Sequence, residues 1–292
     1  MIKIYRVLFY ISLNALIFAS SPLKIFISVD MEGIGGIGTA EMTRANGKDY
    51  QLGRKLMTAE VNAVVSAIIK FNNDAEILVN DSHGDMQNLN HQELDPRVIY
   101  IQGNKKPYGM VQGLDNSYDA AIFIGYHARA GTPKGFLAHT GSGAVKELRL
   151  NGQEVGEGGL NTYFSGEMNV PVILASGDDI FTKQFGKLVD CELVITKHAV
   201  TAQVARLKHG TIVEKELFDA TTQALKTIGN KKSIKLKNPV EIKLKFSSPS
   251  HAEVLQAIPG MEWINGYTVK YEAKNMVEAY ALIRLMYKYV KP

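Results

Sequence analysis

Residues 25–33 decide the fold, because the apolar run Ile25-Phe26-Ile27-Ser28-Val29 is followed directly by Asp30-Met31-Glu32-Gly33. A short run rich in β-branched and aromatic residues is typical of a buried strand. Comparable runs follow along the chain, and the segment between the first two, Tyr50–Phe71, carries apolar residues at helical spacing. The predicted strands are Ile25–Val29, Glu76–Val79, Ala120–Tyr126, Val170–Ala175 and Glu192–Thr196. Strands separated by helices predict an α/β fold, with a mainly parallel sheet flanked by helices.

The pattern changes at Asn151-Gly152, which lies between two short segments and predicts a β-hairpin. Beyond residue 210 the elements are mixed. They are a helix over Thr211–Ile228, strands over Val240–Phe246 and Thr268–Glu272, and a closing helix over Asn275–Tyr289. We therefore expect an α/β core over residues 22–210, with a smaller C-terminal α+β segment over residues 211–292 packed on it.

Residues 1–21 have the layout of a secretory signal peptide. Lys3 and Arg6 supply positive charge, the run Val7–Ala19 is mostly apolar, and two serines follow it. The run is shorter than the roughly 20 residues that a membrane-spanning helix needs. We therefore predict a periplasmic or secreted protein whose mature chain has no stable membrane span. The alternative is a core strand or an uncleaved anchor at this end, and a protein that is not exported would be cytoplasmic.

Composition excludes several classes of protein. The chain has 33 Lys and Arg against 29 Asp and Glu, a net charge of +4, without a long basic stripe, so we expect no nucleic-acid partner. The densest basic segment, residues 231–237, is typical of a solvated linker. A single cysteine, Cys191, excludes an intrachain disulfide and a cysteine-rich zinc site. A metal ion in this protein must therefore be held by histidines and carboxylates.

Acidic and histidine side chains follow the predicted strands at the points where the strands end. They are Asp30 and Glu32 after the first strand, His83 after the second, His127 after the third, and Glu157 after the hairpin. In an open α/β sheet, ligands bind beyond the carboxyl ends of the strands, so we expect these side chains at one rim. Carboxylates and neutral imidazoles together suit a divalent metal such as zinc. Five such groups exceed one tetrahedral site and fit two ions that share a bridging carboxylate.

The spacing of Asp30 and Glu32 adds to this prediction, because side chains two residues apart in an extended chain point the same way. Adjacent carboxylates repel each other and need a compensating cation or a raised pKa. Other roles stay open for single residues: Asp30 or Asp81 as a helix cap or turn residue, and His83 or His127 as a polar loop residue.

The other histidines and one further pair of acids lack this placement. We expect structural or surface roles for His91, His198, His209 and His251. Asp178 and Asp179 also follow an apolar strand, but without a histidine close by, which favours a turn or a helix cap. A supporting role behind the metal site is the alternative for this pair.

Gly33–Gly38 satisfies G-x-G-x-x-G, the pattern of dinucleotide-binding proteins. Asp30 and Glu32 would put negative charge beside a bound pyrophosphate. In addition, Thr39–Asp49 is polar and loop-like, so we expect no helix to open at the glycines. The sequence therefore predicts that this motif does not bind a dinucleotide.

Four motifs occur in order along the chain: Ser28–Gly33, Asn80–His83, Gly125–Ala130 and Val155–Asn161. Together with Ala273–Tyr280 near the C-terminus, they make the chain similar to the bacterial D-aminopeptidase family. The resemblance implies a binuclear zinc aminopeptidase with two Zn²⁺ ions per chain. It also implies a small peptide substrate with an N-terminal D-residue, such as D-Ala-D-Ala, and a homo-oligomer, a ring-stacked decamer that encloses the active sites.

The same resemblance implies a role for each site residue. Asp30 would bridge the ions, with Glu32 and His83 on one ion and His127 and Glu157 on the other. The family's further active-site histidine matches His139, which would stabilise the oxyanion or protonate the leaving amine. A supporting or surface role is the alternative for His139.

Two other functions stay open from the residues alone. One is an extracytoplasmic solute-binding protein that catalyses nothing, although a binding lobe has no need of so much acid at one rim. The other is a metal-dependent hydrolase that acts on a different amide or ester.

Overall fold

The computed structural model describes residues 22–289, so the predicted signal peptide lies outside the described residues. The strands are β1 (Lys24–Val29), β2 (Glu76–Asp81), β3 (Ile99–Ile101), β4 (Ala120–Tyr126), β5 (Val145–Leu150), β6 (Gln153–Glu154), β7 (Val172–Asp178), β8 (Glu192–Thr201), β9 (Val204–Leu207), β10 (Val240–Phe246), β11 (Glu262–Asn265) and β12 (Thr268–Ala273). The α-helices are α1 (Tyr50–Phe71), α2 (Glu157–Glu167), α3 (Asp179–Phe185), α4 (Gly210–Lys226), α5 (Pro249–Leu255) and α6 (Met276–Arg284), which a π-helical turn over Leu285–Tyr289 continues. Within residues 22–289, no helix combines the length and the apolar character needed to cross a bilayer.

Seven strands form the larger sheet, in the order β3-β2-β1-β4-β7-β8-β9. Neighbouring strands run parallel except β8 and β9, which are antiparallel at one edge. This confirms the predicted α/β fold with a mainly parallel sheet. The strand order reverses between β1 and β4, and in such sheets a ligand-binding crevice forms where the order reverses.

Both faces of the larger sheet are covered, which explains why its central strands are continuous apolar runs. One face packs against α1 and α4, through residues such as Val29, Val61 and Leu217. The other face packs against α2 through Phe123 and Leu160, and α2 in turn contacts α6. The carboxyl ends of the strands are thus held between two helical layers.

Five strands form a smaller antiparallel sheet, in the order β11-β12-β10-β5-β6. The predicted hairpin is present, with Asn151 and Gly152 both at positive φ (47° and 80°) in the turn between β5 and β6. Along β10 the apolar residues alternate with charged ones, and the apolar side packs against α5 and α6. This sheet and its helices agree with the prediction of a smaller α+β part.

The two sheets are not separated in sequence at residue 210, the boundary predicted between the core and the C-terminal segment. Strands β5 and β6 precede that boundary, yet β5 pairs with β10. Helix α4 follows it, yet packs against α1 on the larger sheet. Strand pairing and helix packing join segments that are far apart in sequence, and local patterns do not show such contacts.

Helix α2 has no counterpart among the predicted elements. Almost all of its residues are buried, so it lacks the amphipathic stripe by which a surface helix is recognised. It also contains Gly158, Gly159 and Gly166, which lower helix propensity. Tertiary packing, rather than local preference, makes this segment helical.

The glycine motif Gly33–Gly38 does not open a helix. A short 3-10 turn over Ala40–Thr43 follows it, and α1 begins only at Tyr50. The motif therefore lacks the helix N-terminus that would hold a pyrophosphate.

Candidate metal centre

The site lies where β1 and β4 end side by side. Beyond β1 the chain turns sharply, and the Gly33 N–H donates to the Gly125 carbonyl at 2.8 Å. A Cβ at Gly33 would lie 2.5 Å from the Gly125 carbonyl carbon, so a larger residue does not fit. Gly125 itself has a φ of +71°, which favours glycine. Glycine at both positions lets the acids after β1 approach the histidine after β4.

Three buried side chains form the first half of the site. His83 Nδ1 lies 3.2 Å from Asp30 Oδ1 and 2.9 Å from Glu32 Oε2. Because β1 ends at Val29, both acids lie in the following turn. The turn, rather than the alternation of a strand, therefore brings the two carboxylates together.

The second half contains two histidines and a glutamate. His127 Nε2 lies 3.3 Å from Asp30 Oδ2 and 3.4 Å from Glu157 Oε2. The His139 ring stacks on the His127 ring with centroids 4.1 Å apart, and His139 Nε2 lies 3.6 Å from Glu157 Oε1. Asp30 thus directs one oxygen to each half. The structure brings together the five predicted metal-binding residues and His139, the further histidine that the family resemblance implies.

In each of the three histidines, one ring nitrogen lies near a backbone carbonyl oxygen and the other faces one or two of the carboxylates. His83 Nε2 lies 2.7 Å from the Thr43 carbonyl oxygen. His127 Nδ1 lies 3.0 Å from the Ala128 carbonyl oxygen, and His139 Nδ1 lies 3.0 Å from that of Leu137. A ring N–H that donates to a carbonyl fixes the tautomer and leaves the other nitrogen as an acceptor, as in metal-ligating histidines.

Two buried atoms at the centre show that the residues fit a cation. Asp30 Oδ2 and His127 Nε2 have no hydrogen-bond partner among the described residues, and an unsatisfied buried polar group costs about 1–3 kcal/mol. A metal ion would satisfy both atoms. Ligand atoms lie within 4.8 Å of one another in two groups: Asp30, Glu32 and His127, and His127, His139 and Glu157. Oxygen and imidazole donors in this number suit zinc.

The side chains of the site shift one another's pKa. Burial and the adjacent Glu32 raise the pKa of Asp30. Burial also opposes ionisation of Glu32 and Glu157, but His83 and His127 outweigh it, lowering the pKa of Glu157 to about 2 and that of Glu32 well below its usual range. In turn, although burial lowers their pKa, the carboxylates raise the pKa of His83 and His127 well above the usual value. Bound divalent cations would take the place of these protons.

A cavity of about 550 Å³ opens beside these groups. Asp30, Glu32, His83, His139 and Glu157 all line it. The side chain of His139 is 30% exposed, whereas that of Glu157 is 6% exposed. A small molecule in the cavity would therefore reach His139 and the metal-binding atoms together.

Asp81 and Asp178 do not join the site. The Asp81 carboxylate accepts the N–H groups of Asn88 and Leu89, at 2.5 and 2.8 Å, and so orders the loop that follows His83. Asp178 caps α3 by accepting the N–H of Phe181 at 2.7 Å. These are the turn and cap roles that the sequence leaves open for them.

The other four histidines lie outside the cluster, each with its own contact. His91 pairs with Tyr100, His198 with Asp179, His209 caps α4 and His251 stacks on Phe246. These contacts agree with the structural or surface roles expected for them.

Lys197 lies behind the acidic turn, although no motif identifies it. Its Nζ donates to the carbonyls of Glu32 and Ile37, each at 2.7 Å, and lies 4.9 Å from the ring centroid of Phe136. Burial lowers the pKa of Lys197 to about 7. The sequence offers one signal for Lys197, which directly follows the predicted strand Glu192–Thr196. Lysine is almost never fully buried without a partner, so a lysine beside a buried strand indicates a specific contact.

A buried cluster of carboxylates and histidines at the strand ends of a parallel sheet, open to a cavity, is typical of a metal-dependent hydrolase. A family model described as D-aminopeptidase, peptidase family M55, matches residues 23–285. The chain belongs to this family.

A known protein and a solved structure, both from Bacillus subtilis, are similar to this chain. The D-aminopeptidase of strain 168 is 35% identical over 270 residues, which cover 90% of this chain and 96% of that protein. The solved structure described as "Zn-dependent D-aminopeptidase DppA from Bacillus subtilis, a self-compartmentalizing protease" matches with a TM-score of 0.87 and 34% identity, over 90% of this chain and 96% of that one. These findings confirm the family resemblance and the prediction of an enzyme over that of a solute-binding protein.

Proposed function

We propose that this protein is a zinc-dependent aminopeptidase that hydrolyses short peptides with an N-terminal D-residue, such as D-Ala-D-Ala. One observation carries the proposal: Asp30 Oδ2 and His127 Nε2 face each other at 3.3 Å, both buried and without a hydrogen bond to any residue in 22–289, and a cation there would satisfy both. The description of the family supports the reaction, and the zinc dependence of the similar solved structure supports the metal.

The distances support a division of the ligands between two ions. We assign Asp30 as the bridge, because its two oxygens lie near different histidines. His83 and Glu32, 2.9 Å apart, would hold one ion. His127 and Glu157, 3.4 Å apart, would hold the other.

When held by these residues, zinc would supply a Lewis acid for the scissile carbonyl and would lower the pKa of a coordinated water to about 7. The chain itself supplies His139, which lines the cavity with its Nε2 directed at Glu157. His139 Nδ1 lies within hydrogen-bonding distance of the Leu137 carbonyl, so Nε2 is the nitrogen that faces the site. With a proton on both ring nitrogens, His139 would donate through Nε2 to the oxyanion or to the leaving amine. The Gly141 N–H donates to Glu157 Oε1 at 2.5 Å and so fixes the orientation of that carboxylate.

Zinc content and stereospecific turnover together test this function. We expect two zinc ions per chain, cleavage of D-Ala-D-Ala but not of L-Ala-L-Ala, loss of activity with a chelator and recovery with added zinc. If two ions bind and the protein cleaves a different amide or ester but no D-peptide, the metal site stands and the proposed substrate is wrong. If the protein binds no metal and turns over no substrate after zinc is supplied, the proposal that it is an enzyme is contradicted.

We also propose that the chain is exported, on the basis of the charge, apolar run and serines of residues 1–21. The mass of the protein recovered from the periplasm or medium tests this, and we expect cleavage near Ser20 or Ser21. A full-length chain confined to the cytoplasm would contradict it.

A third proposal is that the chain forms a homo-oligomer, a decamer. The description of the similar solved structure as a self-compartmentalizing protease supports an oligomer, and the family resemblance implies ten chains. Light scattering should give a mass near ten times that of one chain, and a monomer at micromolar concentration would contradict the proposal.

A further inference from the structure

The hairpin of β8 and β9 forms one wall of the cavity beside the metal centre. Its two-residue tip, Ala202 and Gln203, lines the cavity together with Leu137, Ala138 and His139. A backbone hydrogen bond joins the two segments, because the Leu137 N–H donates to the Ala202 carbonyl at 2.9 Å. The hairpin tip therefore lies on the side of the cavity that carries His139.

Leu137 has an unusual backbone conformation. Its φ is +51°, in the left-handed region that residues with a branched side chain rarely adopt. Such a conformation persists only where surrounding contacts fix it, and it is found most often at functional sites. The contacts here are the hydrogen bond to Ala202 and the approach of His139 Nδ1 to the Leu137 carbonyl oxygen at 3.0 Å. One strained residue thus connects the hairpin tip to the imidazole that faces the site.

Gln203 supplies the polar side chain of the hairpin tip. Its backbone N–H donates to Thr201 Oγ1 at 3.2 Å, but its carboxamide has no hydrogen-bond partner among residues 22–289. Thr43 and Ser82 also line the cavity, yet the hydroxyl of each already donates to a backbone carbonyl. A carboxamide offers two N–H donors and an acceptor oxygen. Gln203 is therefore equipped to bind a polar group of a molecule in the cavity.

The reaction determines which part of a substrate meets this carboxamide. The leaving amine, which His139 would protonate, belongs to the residue that follows the scissile bond. That residue therefore lies on the His139 side of the cavity, next to the hairpin tip. One residue spans at most about 3.6 Å, so its carbonyl or terminal carboxylate lies close to the leaving nitrogen.

We propose that the Gln203 carboxamide donates to this carbonyl or carboxylate oxygen and so binds the residue that leaves. The role rests on the proposed aminopeptidase function. Because the carboxamide is uncharged, it binds the carboxylate of a dipeptide and the carbonyl of a longer peptide alike. Gln203 thus selects substrates that have a backbone oxygen after the scissile bond.

A comparison of D-Ala-D-Ala with D-alanine ethylamide tests the inference, because the ethylamide has the same scissile bond and lacks only the terminal carboxylate. Leucine has nearly the shape of glutamine but forms no hydrogen bonds. We expect Gln203→Leu to lower kcat/KM for D-Ala-D-Ala about 10-fold, mainly through a higher KM, and to leave the ethylamide nearly unchanged. If the ethylamide is bound but not cleaved, its inhibition constant against D-Ala-D-Ala gives the same comparison.

A second variant distinguishes the two kinds of oxygen. Gln203→Glu places a negative charge beside the carboxylate of D-Ala-D-Ala, and like charges in contact repel. It should therefore lower kcat/KM for D-Ala-D-Ala more than Gln203→Leu does, and lower it less for D-Ala-D-Ala amide, whose terminal group is neutral. Equal losses on the acid and the amide would contradict the proposed contact.

Gln256→Leu provides the matched control, because Gln256 is an exposed glutamine at the end of α5 and does not line the cavity. It should leave both substrates unchanged. Wild-type kinetics of Gln203→Leu on D-Ala-D-Ala, or an equal loss on the dipeptide and the ethylamide, would overturn the inference while the aminopeptidase function stands. Absence of turnover on every D-peptide by the zinc-loaded wild type would overturn the function itself, and the inference with it.

Discussion

Replacement of Lys197 by methionine tests how the acidic turn after β1 is held in place. The lysine Nζ donates two hydrogen bonds of 2.7 Å, to the carbonyls of Glu32 and Ile37. Methionine matches the length and apolar stem of lysine but donates nothing. The variant therefore removes both bonds, leaves two carbonyls without their donor, and adds no cavity of note.

The expected loss of stability follows from these two bonds. At about pH 6, below its pKa of about 7, Lys197 is protonated. A hydrogen bond to a charged group contributes about 1.5–3 kcal/mol, so the gross loss at that pH is about 3–6 kcal/mol. Removal of a fully buried ammonium recovers part of its desolvation cost, which offsets the upper part of this range. We expect the free energy of unfolding to fall by about 3 kcal/mol.

Zinc affinity gives a second measurement that a purely structural role would not affect. Because Lys197 holds the backbone of Glu32, its loss should loosen that carboxylate and weaken zinc binding about 10- to 100-fold, as when other supports of metal ligands are removed. Denaturant unfolding of the metal-free protein and competition with a zinc chelator measure the two effects separately. The exposed Lys183→Met on α3 is the matched control. Wild-type stability and wild-type zinc affinity in Lys197→Met would refute the reasoning.

Three further predictions concern the site and the residues behind it. His139→Ala should keep both zinc ions yet lose about 10²-fold or more in kcat, and near-normal turnover would remove His139 from the chemistry. Elemental analysis should find one zinc ion fewer per chain in His83→Ala, whereas the surface variant His91→Ala should keep both ions. An unchanged zinc content in His83→Ala would show that His83 is not a zinc ligand. Burial raises the pKa of Glu60 to about 8, so the folded state binds the carboxyl proton more tightly than the unfolded state does. The contribution of this proton to the free energy of unfolding is therefore lost as pH rises from about 4.5 to 8. The stability of wild type relative to Glu60→Gln, measured by denaturant unfolding, should therefore decrease over that interval, and a difference that does not change with pH would exclude the shift.

Much of the larger sheet could be predicted, because its strands are short apolar runs bounded by turn residues. Tyr50–Phe71 and Ala120–Tyr126 agree with the structure at both ends. The short strands β3, β9 and β11 could not be predicted, since each has only three or four residues and none of these is buried. Pairing with a neighbour, which no local pattern encodes, makes them strands.

The metal-binding residues could be found in the sequence because parallel strands bring their carboxyl ends to one rim. The residues alone left open whether Asp30 and Asp81 point into the site or cap a helix or turn. Asp81 precedes His83 by two residues, yet its carboxylate orders the next loop while the imidazole faces Asp30. The direction of each side chain depends on the turn that follows its strand, and that turn is fixed by contacts with other segments.

The sequence by itself therefore determined the α/β class, the donor set of carboxylates and histidines, and the family, because these depend on residue type and order along the chain. Tertiary structure alone decided that Lys197 supports the acidic turn and that Gln203 shares a cavity with the metal centre. Lys197 is more than 160 residues from Glu32 in sequence, and Gln203 is 64 residues from His139. Only packing brings such distant residues together, since the burial of apolar surface that drives it has no fixed sequence spacing.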